Sequence, residues 1–331
     1  METLIPYYFA YPSFSSIAHR YKLLNQVSNL VDLEKKISPI LRSEEIGKIQ
    51  TAASILKSET EKRGVTVVSY YDALYPKLLK EIDKPPILLF CKGNIDLLQH
   101  DLVSVVGTRK PSPASLLATS LLPEVLNKSS NFGIVSGVAT GIDRQVMLAA
   151  LEGGIPTIGV MGTGMEKEYP YQNRDLYKQI KTSPNGLLVT EMRIGEVIGK
   201  WSFPRRNRII AGISKLLVLM EAPIKSGAMS SVAHALEQGR EVMVFDDPTL
   251  LYNDGGRKLL EDGATKLTLA DLKKVPDAFF HISEIIPKNF EDMPSLFSSL
   301  SQLENEGMFQ NIGGGYFKRL PPIRTMNTDK R

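Results

Sequence analysis

The chain has 331 residues, of which 43% are hydrophobic and 23% charged, as is typical of a globular protein with two or three domains. The formal net charge of +4 is a small excess that does not by itself indicate a nucleic-acid-binding protein. One cysteine, four scattered histidines and no long apolar run exclude an internal disulfide, a histidine zinc site and a membrane span, so a cytoplasmic protein is expected.

The first seventy residues have apolar side chains at helical spacing. ISPILRSEEIGKIQTAASILKSETEKRG is the clearest example, with Ser43 as a possible N-cap before two glutamates. This pattern predicts a small helical domain over residues 1–71. Two prolines then lead into the apolar run ILLFCKGN, which predicts a strand with Cys91 as a buried core residue.

From Asp101 onward, short runs rich in valine and isoleucine alternate with helical patterns. The runs are LVSVVG, FGIVSG, PTIGVMGTG, GLLVTEM, SKLLVLMEA and REVMVFDD. This alternation is typical of a parallel sheet covered by helices on both faces. We therefore predict a doubly wound α/β domain with a mostly parallel sheet over residues 72–275.

The end of the chain has a different pattern. Leu296, Leu300 and Leu303 have helical spacing before Gly307, and MFQNI and YFKRL read as two strands around a glycine turn. A helix followed by a hairpin indicates a short winged-helix-like domain over residues 276–331, with HISEIIPKNFED as the candidate for its earlier helices. The alternative is a bare helix and hairpin packed on the main domain.

The loops that leave the predicted strands share small residues, hydroxyl groups and a nearby cation. Such loops gather at one edge of a parallel sheet, where their backbone N–H groups can bind phosphate. They therefore predict an anion-binding edge. The five loops are GTRKPSPAS, SGVATGID, GTGMEKEYPYQN, RIGEVIGKWSFPRRNRIIAG and PIKSGAMSS.

Standard nucleotide and catalytic motifs do not match. The first loop has one glycine, which disfavours a dinucleotide-binding motif, and GEVIGKW lacks the length and hydroxyl of a P-loop. Asp143, Glu191 and Glu221 could form an acid–base set. We favour a different interpretation, in which Asp143 caps a helix and the two glutamates orient the arginines of FPRRNR.

In that interpretation Arg208, which is nearest to the apolar run, is a structural ion-pair partner, and Arg205 and Arg206 are left for a ligand. The cations, together with the aromatic residues of the same loops, suit a single-stranded nucleic acid, whose bases stack while its phosphates are bound. These aromatic residues are Tyr169, Tyr171, Trp201 and Phe203.

Several stretches resemble the DNA processing protein A family (DprA/Smf), in order and at family-like spacing from about Tyr75 to Thr268. They are VSVVGTRKPSPAS, IVSGVATGIDRQVMLAALEGGIPTIGVMGTGMEKEYPYQNRDLY, FPRRNRIIAGIS and APIKSGAMSSVAHALEQGREVMVF. The resemblance implies an extended Rossmann-like domain that binds single-stranded DNA in a basic pocket. It also implies protection of incoming strands and loading of RecA recombinase in natural transformation and recombination. A non-enzymatic homodimer that needs no metal or nucleotide cofactor is expected.

The loops and the resemblance together give the expected DNA-binding residues, with Arg109 as a phosphate contact. This chain departs from the usual family pattern at QVMLAAL in the second helix, and at Asp246 and Asp247, where Pro-Gly is usual. The expected set is Gly107, Thr108, Arg109, Lys110, Ser136, Gly137, Gly141, Lys167, Tyr169, Arg205, Arg206, Asn207, Arg208, Lys225, Ser226 and Gly227.

Two other functions stay open at this point. One is a nucleotide-processing enzyme that resembles the phosphoribohydrolases, although their P-G-G-x-G-T-x-x-E motif is lacking and GTGMEKE is the nearest approach. The other is a sensor that binds a nucleotide signal in the same pocket. Salt-sensitive DNA binding would separate the mediator from both.

Overall fold

The computed structural model describes residues 4–272, 279–281, 309–313 and 316–319. Its first part is helical, as predicted, and amphipathic packing explains why: α3 buries Leu30, Leu33 and Ile37 on one face. Arg42 is the N-cap residue of α4 and Ser43 is the first helical residue, so the cap predicted at Ser43 is wrong. The helices are α1 (Ile5–Tyr8), α2 (Pro12–Arg20), α3 (Leu30–Ile37) and α4 (Ser43–Lys62), with 3₁₀ turns at Leu23–Gln26 and Ser38–Ile40.

A nine-stranded sheet forms the centre of the protein, in the order β1-β2-β6-β5-β4-β3-β7-β8-β9. Strands β3 to β9 are parallel, and β1 and β2 add an antiparallel edge beside β6. The predicted doubly wound, mostly parallel sheet is therefore confirmed. The strands are β1 (Thr66–Ser69), β2 (Leu88–Gly93), β3 (Leu102–Val106), β4 (Gly133–Ser136), β5 (Thr157–Val160), β6 (Gly186–Thr190), β7 (Leu216–Leu219), β8 (Glu241–Phe245) and β9 (Thr265–Leu267).

Strand β1 was not predicted and lies within the range expected to be helical. It has four residues at the edge of the sheet, directly after the long helix α4. Four residues are too few for a strand alternation to be distinguished from the end of a helical pattern. The sheet therefore begins at Thr66, before the boundary predicted at residue 72.

Helices cover both faces of the sheet and bury two hydrophobic cores. Side chains alternate along β3, so that Leu102 and Val106 join one core while Val103 and Val105 join the other. No helix in the described ranges is long and apolar enough to cross a membrane. The covering helices are α5 (Lys77–Lys80), α6 (Pro113–Ser130), α7 (Ile142–Glu152), α8 (Arg174–Thr182), α9 (Ser202–Gly212), α10 (Gly227–Glu237), α11 (Asp254–Glu261) and α12 (Leu269–Leu272), with 3₁₀ turns at Ile95–Gln99 and Tyr171–Asn173.

The N-terminal helices share one continuous core with the sheet. Phe14 and Leu33 of the helices belong to the same buried cluster as Phe90 of β2. Cys91 lies in this cluster too, and burial raises the pKa of its thiol to about 12, which fits a core residue. The helical segment is therefore packed onto the sheet.

The described part of the tail forms a small antiparallel sheet in the order β10-β12-β11, with β10 at Phe279–His281, β11 at Phe309–Gly313 and β12 at Tyr316–Arg319. The predicted hairpin is confirmed by the pairing of β11 with β12. His281, expected near the start of a helix, ends a strand instead. The helix predicted around Leu300 lies outside the described residues.

The shared core predicts that the helical segment and the sheet unfold together. Phe14 is fully buried against Tyr8 and Phe9, with ring centroids 5.5 Å apart in both pairs. Replacing Phe14 by alanine should lower the free energy of unfolding by about 3–5 kcal/mol. Thermal unfolding followed by circular dichroism and by the fluorescence of Trp201 should show one coincident transition at a lower midpoint.

The control is Tyr21→Ala, because that side chain is 52% exposed. It should change the free energy of unfolding by no more than about 0.5 kcal/mol. Two separate transitions, with the fluorescence midpoint unmoved by Phe14→Ala, would contradict the shared core.

Candidate nucleic-acid interface

The candidate site lies where the strand order reverses. The chain builds β3, β4, β5 and β6 outward in one direction, and β7 then returns to the other side of β3. The loops after β3 and β7 therefore diverge and leave a crevice at the carboxyl ends of the strands, the usual ligand position in such sheets. The predicted location of the site agrees with this geometry.

A cavity of about 1340 Å³ occupies this crevice. The loops after β3, β4, β5, β6 and β7 all contribute to its wall, as the sequence predicted for the five loops. We call this cavity the central pocket. The expected residues that line it are Gly107, Thr108, Arg109, Lys110, Lys167, Tyr169, Arg206, Asn207, Ser226 and Gly227.

The central pocket has an excess of unpaired positive charge. Arg109, Lys110, Lys167 and Lys200 are exposed, and within the described ranges no carboxylate lies within ion-pair distance of them. Among the described residues, the acidic residue in the pocket lining is Asp143, which is buried. This wall therefore attracts a polyanion more strongly than the net charge suggests.

Three expected residues support the pocket from behind. Ser136 is fully buried and donates its hydroxyl to Val105 O at 2.7 Å. Gly141 has φ 79°, and a Cβ there would lie 2.4 Å from Thr108 O, so only glycine lets this loop pack against the loop after β3. Gly137 offers its carbonyl oxygen to Arg206 at 2.5 Å.

The FPRRNR segment forms the first two turns of α9, and helical periodicity separates its arginines. Arg206, Ile209 and Ile210 have the spacing of one helix face and are buried. Arg206 donates to the carbonyl oxygens of Gly137 and Val160, beneath the central pocket. It is therefore the most buried of the three arginines.

Asp143 is the charged neighbour of Arg206 in this buried layer. Its Oδ2 accepts from the backbone N–H groups of Gly137 at 3.1 Å and Ala139 at 3.4 Å. Burial raises the pKa of the Asp143 carboxyl, and the charge of Arg206 opposes this shift. Burial likewise lowers the pKa of Arg206, which Asp143 opposes. Each charge thus stabilises the other, and Asp143 fixes the loop after β4.

Arg205 and Arg208 do not line the central pocket. Both bind Glu191, with Arg205 Nε at 3.0 Å from Oε1 and Arg208 Nη2 at 2.6 Å from Oε2. The ion pair predicted for Arg208 is therefore confirmed, and Arg205 shares its partner. Both line a second cavity of about 550 Å³ beside the N-terminal helices. The pairing predicted for Glu221 is wrong, because Glu221 accepts from the backbone N–H of Ser112 at 2.8 Å.

Aromatic rings lie at two sides of the central pocket. Tyr169 is 47% exposed and packs against Phe203, with centroids 5.3 Å apart. Tyr252, in the loop after β8, is 70% exposed and also lines the pocket. Trp201 is outside the lining and lies under the guanidinium of Arg205, whose carbon is 5.7 Å from the ring centroid.

Sequence reasoning missed Lys200 and Tyr252. Lys200 belongs to the predicted loop that follows β6, but its position beside the pocket depends on where α9 begins. Tyr252 follows the FDDPTL stretch, which departs from the family pattern. Lys225 is exposed and lies outside the pocket wall, next to Ser226, whose hydroxyl accepts from Met229 N and caps α10.

The described residues contain no cluster of three or more histidine, cysteine, aspartate or glutamate side chains that could hold a metal ion. The central pocket presents cations, hydroxyl groups, backbone N–H groups and aromatic faces. This combination can bind phosphates and stack bases.

The buried position of Arg206 predicts a structural effect on mutation. Arg206→Ala leaves the Asp143 carboxylate and two carbonyl oxygens buried without their partner, so the free energy of unfolding should fall by about 3–5 kcal/mol. The matched control is Arg205→Ala, since that side chain is 45% exposed and should cost about 1 kcal/mol or less. Thermal midpoints measure both, and an Arg206→Ala midpoint equal to that of Arg205→Ala would contradict the assignment.

Several known proteins are similar to this chain in sequence. DNA processing protein DprA of Streptococcus pneumoniae is 39% identical over 201 residues, which cover 60% of this chain and 70% of that protein. DprA of Bacillus subtilis is 33% identical over 254 residues, covering 71% and 82%. Protein Smf of Synechocystis is 38% identical over 215 residues but is covered to only 53% of its length.

Solved structures agree with these relatives. The crystal structure of the S. pneumoniae protein superposes with a TM-score of 0.66 at 32% identity, over 81% of this chain and 94% of that one. DNA processing protein A of Helicobacter pylori, studied for its single-stranded DNA binding mode, gives a TM-score of 0.56 at 29% identity, over 63% and 93%. The model of the family described as DNA recombination-mediator protein A matches residues 66–275. The chain therefore belongs to the DNA processing protein A (DprA/Smf) family of recombination mediators.

Proposed function

We propose that this protein binds single-stranded DNA in the central pocket and acts through that complex as a recombination mediator. The observation that carries the proposal is the group of unpaired cations, Arg109, Lys110, Lys167 and Lys200, beside exposed aromatic rings in one cavity. Cations follow the phosphates and rings stack on the bases, with little dependence on sequence. The single-stranded DNA binding of the H. pylori relative supports the same ligand.

The pocket offers different contacts to the two parts of a nucleotide. Phosphates can bind the free cations and the backbone N–H groups where α10 begins, at Ser226 and Gly227. Bases can stack on Tyr169, Phe203 and Tyr252. In a duplex the base faces are covered by stacking, so these rings favour a single strand.

The mediator role beyond binding is proposed from family membership. It comprises protection of single strands, loading of RecA recombinase onto them and assembly into a homodimer in the cytoplasm. A non-enzymatic role fits the pocket lining, where the carboxylate found among the described residues is that of Asp143. It already accepts hydrogen bonds from Gly137 and Ala139 and interacts with the charge of Arg206. A buried carboxylate so engaged is poorly placed as a general base.

The test of binding is fluorescence anisotropy with a labelled oligothymidine, across a salt series and with duplex DNA as competitor. The proposal expects tight binding that weakens with salt and resists the duplex. Nuclease protection of the bound strand, and the rate at which RecA begins DNA-dependent ATP hydrolysis on a strand coated with single-strand binding protein, test the mediator steps. No binding at low salt would instead favour a nucleotide sensor or a nucleotide-processing enzyme.

Arg109 should contribute a phosphate contact that reads no sequence. Arg109→Ala is expected to weaken oligothymidine binding about tenfold and to reduce the salt dependence by about 0.7 in log K per log salt, because one phosphate contact is lost. Mixed-sequence strands should lose the same factor. Anisotropy titrations at four or more salt concentrations give both quantities.

The charge-matched control is Arg20→Ala. Arg20 is exposed at the end of α2 and outside the central pocket, so its replacement removes one positive charge without touching the proposed site. It should leave affinity and salt slope unchanged. The Arg109 assignment fails if both variants keep the salt slope of the parent.

A further inference from the structure

A row of aromatic and basic side chains continues from the central pocket onto α8. Tyr169 lines the pocket, and Tyr171 follows two residues later, so their Cα atoms are at most about 7.6 Å apart. Tyr171 is not part of the pocket wall, and its side chain is 67% exposed. An exposed ring so close to the pocket is within reach of a bound strand that extends beyond the cavity.

Arg174 fixes the orientation of this ring. Its guanidinium carbon lies 4.4 Å from the Tyr171 centroid, and its Nη1 donates to the tyrosine hydroxyl at 2.8 Å. One face of the ring is therefore covered by a cation, and its high exposure places much of the remaining surface in solvent. A ring held in this way loses little conformational entropy when a flat ligand stacks on it.

The surroundings of the ring are positively charged. Arg174 and Lys178 are four residues apart on one face of α8, and in the described ranges neither has a carboxylate partner. The nearby acids are already paired, Glu168 with Lys181 at 2.5 Å and Asp175 with Arg144 at 2.5 Å. A strand that passes the ring would meet unpaired cations there.

We propose that Tyr171 and Arg174 form a second nucleobase-binding site, outside the central pocket, that stacks one base of the strand leaving the pocket on the β5 side. Lys178 binds the phosphate that follows. This site rests on the proposed function and extends the single-stranded DNA path beyond the cavity. Its polar, cationic surroundings fit a nucleic acid better than an apolar protein partner.

The site should act only on strands long enough to reach it. Anisotropy with oligothymidines of about 4 to about 16 nucleotides, the range of single-strand site sizes, separates the pocket from the extension. Tyr171→Ala should bind the shortest binding strand as the parent does and bind long strands roughly tenfold more weakly. Tyr171→Phe keeps the ring and should stay within about twofold of the parent at every length.

Lys178→Gln tests the phosphate contact of this site. It should reduce the salt slope by about 0.7 for long strands and leave the slope for the shortest strand unchanged. Tyr21→Ala serves as the matched control, because Tyr21 is also an exposed tyrosine but lies at the end of α2. It should bind all lengths as the parent does.

The outcomes distinguish this site from the proposed function. If the parent binds no strand of any length, the pocket proposal is wrong and the extension falls with it. If the parent binds but Tyr171→Ala matches it at every length, the extension is overturned and the ring is left as a candidate protein contact. An equal loss at all lengths, including the shortest, also overturns a separate site.

Discussion

The arrangement of the pocket depends on one buried cation. Arg206 reaches from α9 to the carbonyl oxygens of Gly137, directly after strand β4, and of Val160, at the end of the neighbouring strand β5. Asp143 holds the loop after β4 from the other side and supplies the compensating charge. The helix that follows β6 is thereby tied to two other strands, and the loops at this edge keep a fixed spacing. A hydrophobic contact at the same place would fill the space without fixing the carbonyl groups.

Helix periodicity decides which charges remain for a ligand. Three arginines close together in FPRRNR suggest a strong anion site, yet Arg206 is buried while Arg205 and Arg208 share Glu191 on another face. The free cations come instead from the loops, above all from Arg109 and Lys167, which have no such partner in the described ranges. Helix α9 therefore supports the central pocket from beneath, and the loops supply the positive charge for binding.

The sequence predicted those parts of the fold that follow from local periodicity. Runs such as LVSVVG are buried on both faces, so their continuous apolar sequence indicates a parallel sheet. The edge at which the loops gather then follows from the topology of such a sheet. Strand β1 was not predicted, because its four residues are too few to show the alternation of apolar and polar side chains that is typical of a strand. The structural role of Arg206 was not predicted. The start of α9 decides which helix face each arginine occupies, and that start depends on tertiary packing. Tyr252 reaches the pocket through contacts between two loops distant in sequence.

The acidic side chain of Asp246 lies in the loop after β8, near the surface that we propose binds DNA. Burial alone would raise the pKa of Asp246, but hydrogen bonds from Lys266 and Asn253 and the charge of Arg257 lower it below its usual value. Its negative charge is thus compensated within the protein. Asn253 in turn donates to Phe245 O and accepts from the backbone of the loop after β7. The hydrogen bonds that join Asp246 and Asn253 to Phe245 and Ala222 therefore hold the loop that carries Tyr252 beside the pocket.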